Sequence, residues 1–110
     1  MYEIIFSMQD LVFSGVQPTS GLHIGNYIGA LKQWIELQHR FPCLFCIVDL
    51  HAITAKFYHE KELKNNTISA IATYVACGID PNKSVIFPQS AVPGHSELCW
   101  LLSCCTPMGW

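Results

Sequence analysis

Short apolar runs alternate with longer helical patterns along this chain, and that alternation restricts its fold more than any other feature. The apolar runs predict three short strands, at residues 10–14, 43–48 and 84–87. The second run is continuously apolar, which is typical of a strand that is covered on both faces. Gly15 and Pro88 directly follow the first and the last run, and we expect them to end those strands.

The long connections between these runs carry helix signals. The first predicted helix spans about residues 23–40 and stops before Pro42. Its apolar side chains recur at steps of four, three and four, which places them on one face: Ile24, Ile28, Leu31 and Ile35. A second helix should end with Gly78 as its C-terminal cap, and a third should begin near His95.

Strand–helix alternation of this kind predicts an α/β fold with a doubly wound, Rossmann-like parallel sheet. We interpret residues 1–110 as part of one such domain and residues 1–9 as an extra N-terminal segment. The last residues, 105–110, follow an apolar helix directly and do not resemble a solvated tail. We therefore expect the fold to continue beyond them.

Composition excludes several classes of protein. Hydrophobic residues make up 51% of the chain and charged residues 13%, which argues against disorder. The formal net charge of -2 gives no basic footprint for nucleic acid. No signal peptide or membrane-spanning run is evident, so the expected compartment is the cytoplasm. The six cysteines should then stay reduced, and Cys43 and Cys46 are expected to be buried thiols rather than metal or redox ligands.

The junction between the first predicted strand and the first predicted helix contains the candidate binding residues. A loop there leads into a helix N-terminus, where free N–H groups and the helix dipole favour phosphate. Neither a P-loop nor the dinucleotide fingerprint is present. Neutral or weakly cationic donors line the junction instead: Gln17, Thr19, His23 and Asn26.

These residues resemble the class I aminoacyl-tRNA synthetases. His23-Ile-Gly-Asn26 is similar to the HIGH signature of that class, with Asn26 where many members have histidine. The surrounding residues 13–30, together with 46–54, 76–84 and 89–93, look like the tryptophanyl members of the bacterial and organellar type. Ser20 stands where the family usually has glycine, and the KMSKS signature does not occur in these 110 residues.

The resemblance implies an ATP-dependent activation of tryptophan to tryptophanyl-adenylate and its transfer to tRNA(Trp). It implies an ATP site at Gln17, Pro18, Thr19, His23, Gly25 and Asn26, in which His23 and Asn26 have the catalytic role. It implies a tryptophan site at Phe13, Gly15, Val48 and His51, with Asp49 either orienting His51 or binding the substrate amine. ATP is expected with Mg²⁺, for which no protein ligand is assigned, and the complete enzyme is expected to be a homodimer.

Other interpretations stay open at this stage. Gln17 and Thr19 are ordinary turn residues, and Asp49 and His51 could simply cap the end of a strand. The missing KMSKS loop is also compatible with a non-catalytic, nucleotide-binding relic of a synthetase. A tyrosyl-type synthetase and a thiol or zinc module, the latter suggested only by the number of cysteines, are weaker alternatives.

Overall fold

Three parallel strands form one sheet in the computed structural model, which describes residues 10–18, 24–55, 57, 59–107 and 109. The strands are β1 (Val12–Val16), β2 (Cys43–Ile47) and β3 (Ser84–Pro88). The sheet order is β1-β2-β3, so β2 pairs with both neighbours. This arrangement agrees with the predicted parallel α/β sheet.

Helical segments connect and follow the strands. Their bounds are α1 (Ile24–Asn26), a π-helical turn (Tyr27–Leu31), α2 (Lys32–Leu37), α3 (Asp49–Ala55), α4 (Glu60–Cys77), a 3-10 helix (Gln89–Ala91) and α5 (Gly94–Cys105). Among the residues that the structure describes, no helix is both long enough and apolar enough to cross a membrane.

Two predicted strand boundaries are wrong. β1 begins and ends two residues later than predicted, so Gly15 lies inside the strand and is aligned with Cys46 of β2. Pairing with β2 therefore determines where β1 ends, and the glycine does not. Pro88 is the last residue of β3 rather than the first residue after it, which is possible because proline is tolerated at strand ends and on edge strands.

The first helix has a different apolar face from the predicted one. Its middle is a π-helical turn, in which the N–H of Lys32 bonds to the carbonyl of Tyr27, five residues earlier. The wider turn adds a residue to the helix and changes which side chains face inward. Leu31 and Trp34 are buried, whereas Ile24 and Ile28 are exposed.

The core lies on one face of the sheet, between β2 and the helices α2 and α4. The Trp34 ring stacks on Phe45 at 4.6 Å between centroids and meets the edge of Tyr74 at 5.7 Å. Phe45 and Tyr74 are each only 1% exposed. Offset stacking and edge-to-face contacts of this kind stabilise aromatic clusters beyond the area that they bury.

The other face of the sheet is more open. Phe13, Leu44 and Val85 are aligned across the three strands. Phe13 and Val85 are exposed and Leu44 is half-buried. β2 was predicted to be covered on both faces, and in the described part of the chain its cover at Leu44 is only partial.

Gly78 caps the C-terminus of α4 at the turn before β3, as predicted. Gly78 has a φ of 118°, in the left-handed region that favours glycine, and its N–H returns to the carbonyls of Tyr74 and Val75. The buried side chain of Gln38 holds this turn against the end of α2. Its amide nitrogen donates to the Gly78 carbonyl at 2.8 Å, and its amide oxygen accepts the N–H of Asp80 at 2.8 Å.

Burial of Tyr74 makes the stability of the fold dependent on pH in the alkaline range. Burial raises the pKa of Tyr74 from 10.0 to about 12. The folded state therefore keeps the phenol proton that the unfolded state releases above pH 10. The free energy of unfolding should be independent of this group below about pH 10 and should decrease as the pH rises towards 12.

Tyr74→Phe isolates this contribution. Urea unfolding measured between pH 9 and pH 11 should show a shallower alkaline loss of stability in Tyr74→Phe than in the wild type. The buried thiols remain in both proteins, so the difference reports Tyr74 alone. Parallel pH profiles would show that Tyr74 ionises equally easily in the folded and unfolded chain.

Candidate functional site

The strands of the sheet are parallel, so the segments that follow them lie at one edge. Gln17 follows β1, Val48 follows β2 and Gln89 follows β3. In open, doubly wound sheets, ligands bind in the crevice beyond this carboxyl edge. The edge is therefore the candidate functional site, and most residues predicted to bind substrate lie on it or beside it.

Gly15 and Val48 are in close contact at this edge. A Cβ atom added to Gly15 would lie 3.0 Å from Cγ1 of Val48, tighter than ordinary side-chain contacts. The N–H of Val48 also donates to the Val16 carbonyl at 2.9 Å. Phe13 lies two residues before Gly15 in β1, so its side chain shares the same face of the sheet. The structure thus brings these three predicted tryptophan-binding residues onto one face of β1 and the end of β2.

A short helix that sequence reasoning missed begins directly at the end of β2. Asp49 is the first residue of α3, and its Oδ1 accepts the N–H of Leu50 at 2.9 Å. An aspartate in the first turn satisfies a free N–H group and interacts favourably with the helix dipole. Asp49 was also interpreted as a residue that caps the end of a strand. In the structure it instead satisfies an N–H group at the start of a helix.

His51 lies in the first turn of α3 and lines a cavity of about 400 Å³ between α3 and α5. The α3 wall of the cavity consists of Leu50, His51 and Thr54, and Gln89 adjoins it. The opposite wall consists of residues of α5: His95, Ser96, Cys99, Trp100 and Ser103. The predicted tryptophan-binding residues Phe13, Gly15 and Val48 are not among the residues that line this cavity. Val48 nevertheless adjoins the first turn of α3, because its carbonyl accepts the N–H of Ala52 at 3.1 Å.

The predicted ATP-binding residues are described only in part. Gln17 is half-buried and Pro18 is fully buried after β1, while Gly25 and Asn26 lie in α1. Thr19 and His23 lie outside the described residues. The structure therefore places both ends of the predicted phosphate loop, and the ATP-binding role of all six residues stays a prediction.

The two thiols of β2 are poor nucleophiles. Burial raises the pKa of the Cys43 thiol; burial and the nearby carboxylate of Asp49 raise that of Cys46. Both side chains are buried and unbridged, and they are protonated at neutral pH. In the described ranges, no three histidine, cysteine, aspartate or glutamate side chains are placed to hold one metal ion.

Sequence reasoning assigned no role to Gln89 and Ser90, which also lie at this edge. The side-chain oxygen of Gln89 accepts the N–H of His51 at 3.3 Å. Ser90 donates both its N–H, at 3.0 Å, and its hydroxyl to the carboxylate of Asp49. Their position immediately after a predicted strand was the available signal, because segments after parallel strands meet at one edge.

Comparison with known proteins identifies the family. Residues 9–110 match the class I tRNA synthetases for tryptophan and tyrosine. The chain belongs to this family. The resemblance to the tryptophanyl members is confirmed by curated relatives named tryptophan–tRNA ligase. The protein from Prochlorococcus marinus is 54% identical over 90% of this chain, and that from Agrobacterium fabrum is 50% identical over 94%. This synthetase chain spans about 29% of the length of either relative.

Solved structures agree with the fold. Tryptophanyl-tRNA synthetase from Campylobacter jejuni, in complex with ADP and tryptophan, superimposes with a TM-score of 0.80 at 45% identity. The match covers 91% of this chain and 31% of that protein. The enzyme from Mycoplasma pneumoniae gives a TM-score of 0.82 at 32% identity, over 93% of this chain and 30% of the other. The predicted Rossmann-like fold is thereby confirmed.

Proposed function

We propose that the protein acts in tryptophan–tRNA ligation: it activates tryptophan with ATP to tryptophanyl-adenylate and transfers it to tRNA(Trp). The observation that carries the proposal is the structural match, over 91% of this chain, to a tryptophanyl-tRNA synthetase solved with ADP and tryptophan bound. The names of relatives that are about half identical to this chain support the same substrates.

In this proposal, ATP and tryptophan bind at different parts of the carboxyl edge of the sheet. Gln17, Pro18, Thr19, His23, Gly25 and Asn26 hold ATP at the junction of β1 and α1, with His23 and Asn26 on the phosphates. Phe13, Gly15, Val48 and His51 form the first wall of the tryptophan site. The second assignment is supported by the proximity of its members, because Phe13 and Gly15 lie on one face of β1 and Val48 packs directly against Gly15.

Activation requires positioning more than covalent catalysis. A tryptophan carboxylate oxygen forms a bond to the α-phosphorus of ATP, and the bond from that phosphorus to the bridging oxygen breaks, which releases pyrophosphate. Residues at the edge hold the two reactants together and supply hydrogen bonds to the developing charge. Mg²⁺ bound to ATP would neutralise part of the phosphate charge, and no residue of this chain is assigned to it.

Further partners belong to the proposal as well. A homodimer of the complete enzyme is proposed from the family alone, and no residue of α5 is buried within the described part of this chain. The exposed apolar side chains of α5 are Leu98, Trp100, Leu101 and Leu102. The chain carries a formal net charge of -2, so the proposed contacts with tRNA(Trp) do not rest on a basic surface of these residues.

Two variants test the assignment of His23 to ATP and of His51 to tryptophan. In the full gene product that contains this chain, His23→Ala should raise the KM for ATP or lower kcat, with little change in the KM for tryptophan. His51→Ala should show the reverse pattern and raise the KM for tryptophan by about tenfold, as expected for loss of one good contact. Equal changes in both KM values for either variant would contradict the assignment.

A non-catalytic, nucleotide-binding relic of a synthetase is the alternative candidate. This candidate predicts that the full gene product binds ATP but does not exchange pyrophosphate into ATP when tryptophan is added. The ligase proposal predicts exchange that depends on tryptophan and is not supported by tyrosine. Measurement of both activities in one preparation therefore separates the two candidates.

A further inference from the structure

Asp49 is a buried carboxylate at the edge of the sheet that the proposed reaction does not need as a chemical group. Its side chain is only 7% exposed. Oδ1 accepts the N–H groups of Leu50 and Ser90 at 2.9 and 3.0 Å, and Oδ2 accepts the Ser90 hydroxyl. Buried carboxylates are stable only when donors surround them, and here three protein donors do so. The carboxylate is therefore already occupied by the protein itself.

Ser90 lies in the 3-10 helix after β3, 41 residues further along the chain than Asp49. A second link joins the same two elements, because the N–H of His51 donates to Oε1 of Gln89 at 3.3 Å. Together, the Asp49–Ser90 and His51–Gln89 hydrogen bonds attach the first turn of α3 to the segment after β3. Two adjacent links restrain both the position and the rotation of that turn.

We propose that Asp49, through Ser90, is a positioning residue that holds His51 in place for tryptophan binding. The proposal rests on the proposed function, since His51 is assigned to the tryptophan site there. It differs from direct capture of the substrate amine by Asp49, because the carboxylate has its donors before any substrate arrives. Ser90, which has no assigned contact with either substrate, then matters for tryptophan and not for ATP.

The first experiment measures the steady-state kinetics of tryptophan activation in the full gene product that contains this chain. Ser90→Ala removes the hydroxyl donor, and Asp49→Asn weakens the same link. Both variants should raise the KM for tryptophan by about five- to tenfold and leave the KM for ATP within about twofold. The expected effect is smaller than for loss of a direct hydrogen bond to a charged group, because the link acts on tryptophan only through His51. Ser90→Thr keeps the hydroxyl and should restore most of the lost affinity. Ser69→Ala, at an exposed position of α4, is the matched control and should behave as the wild type.

Competitive inhibition by indole-3-propionate separates positioning from amine binding, because this analogue has the indole ring and the carboxylate but no amine. Positioning predicts that its Ki rises in Asp49→Asn by the same factor as the KM for tryptophan. An unchanged Ki in Asp49→Asn would assign Asp49 to the amine and overturn the proposal. A normal KM for tryptophan in Ser90→Ala would also overturn it, because the link through Ser90 would then not be needed. A loss of thermal stability with both KM values unchanged would also overturn it, because it would reduce the pair to a structural role. Failure of the proposed function is distinct: the wild type itself would then show no tryptophan-dependent activity.

Discussion

Trp34→Ala should destabilise the fold by about 3–5 kcal/mol, the cost typical of deleting a large aromatic side chain from a packed core. Trp34 is 6% exposed and contacts Phe45 from the sheet and Tyr74 from α4. Its loss would leave a cavity where α2, α4 and β2 meet. Because domains are usually stable by only about 5–15 kcal/mol, this change would remove a large share of the stability. Urea unfolding followed by circular dichroism measures the effect.

Trp100→Ala is the matched control for this prediction. Trp100 lies in α5 and is 70% exposed, so the same substitution there removes few packing contacts within the chain. Its effect on the free energy of unfolding should stay within about 1 kcal/mol. Equal destabilisation by the two substitutions would contradict a core centred on Trp34.

Gln38→Leu should cost about 2–4 kcal/mol, although leucine is similar in size and more hydrophobic. The buried amide of Gln38 connects the carbonyl of Gly78 with the N–H of Asp80, and its oxygen lies 3.4 Å from the Ser84 hydroxyl. Leucine would leave the first two groups without their side-chain partner, and each unsatisfied buried group costs about 1–3 kcal/mol. The denaturation midpoint should decrease accordingly.

Two further variants make this prediction specific. Gln33→Leu changes an exposed glutamine on the same helix and should have little effect. Gln38→Glu keeps an acceptor for Asp80 but places a carboxylate oxygen against the Gly78 carbonyl, so it should also be less stable than the wild type at neutral pH. Wild-type stability in Gln38→Leu would show that water replaces the amide without loss.

The strand–helix alternation was sufficient to predict the parallel sheet, because continuous apolar runs and helical spacing differ clearly in period. It failed where the period itself changes. The π-helical turn Tyr27–Leu31 alters the spacing that placed Ile24 and Ile28 inside. α3 was missed because seven residues that follow a strand directly are too short to show a helical period. The end of β1 depends on its partner β2, which local sequence does not show.

The position of the candidate site could be predicted where one segment carries the signal, as around Gln17 and Asn26, while the ATP-binding role of these residues stays a prediction. It was not predictable where two distant segments meet. The link between Asp49 and Ser90 spans 41 residues and exists only because β2 and β3 are parallel neighbours in register. The apolar character of Phe13 and Val48 alone predicts ordinary core residues. Only the family resemblance assigned them to the tryptophan site.

Tryptophan-dependent exchange of pyrophosphate into ATP tests the central claim most directly. It should be measured on this 110-residue chain and on the full gene product that contains it, with tyrosine in place of tryptophan as the control. We predict exchange with tryptophan in the full product and none with tyrosine. Absence of exchange in both preparations, with ATP still bound, would contradict the ligase account and support the nucleotide-binding relic.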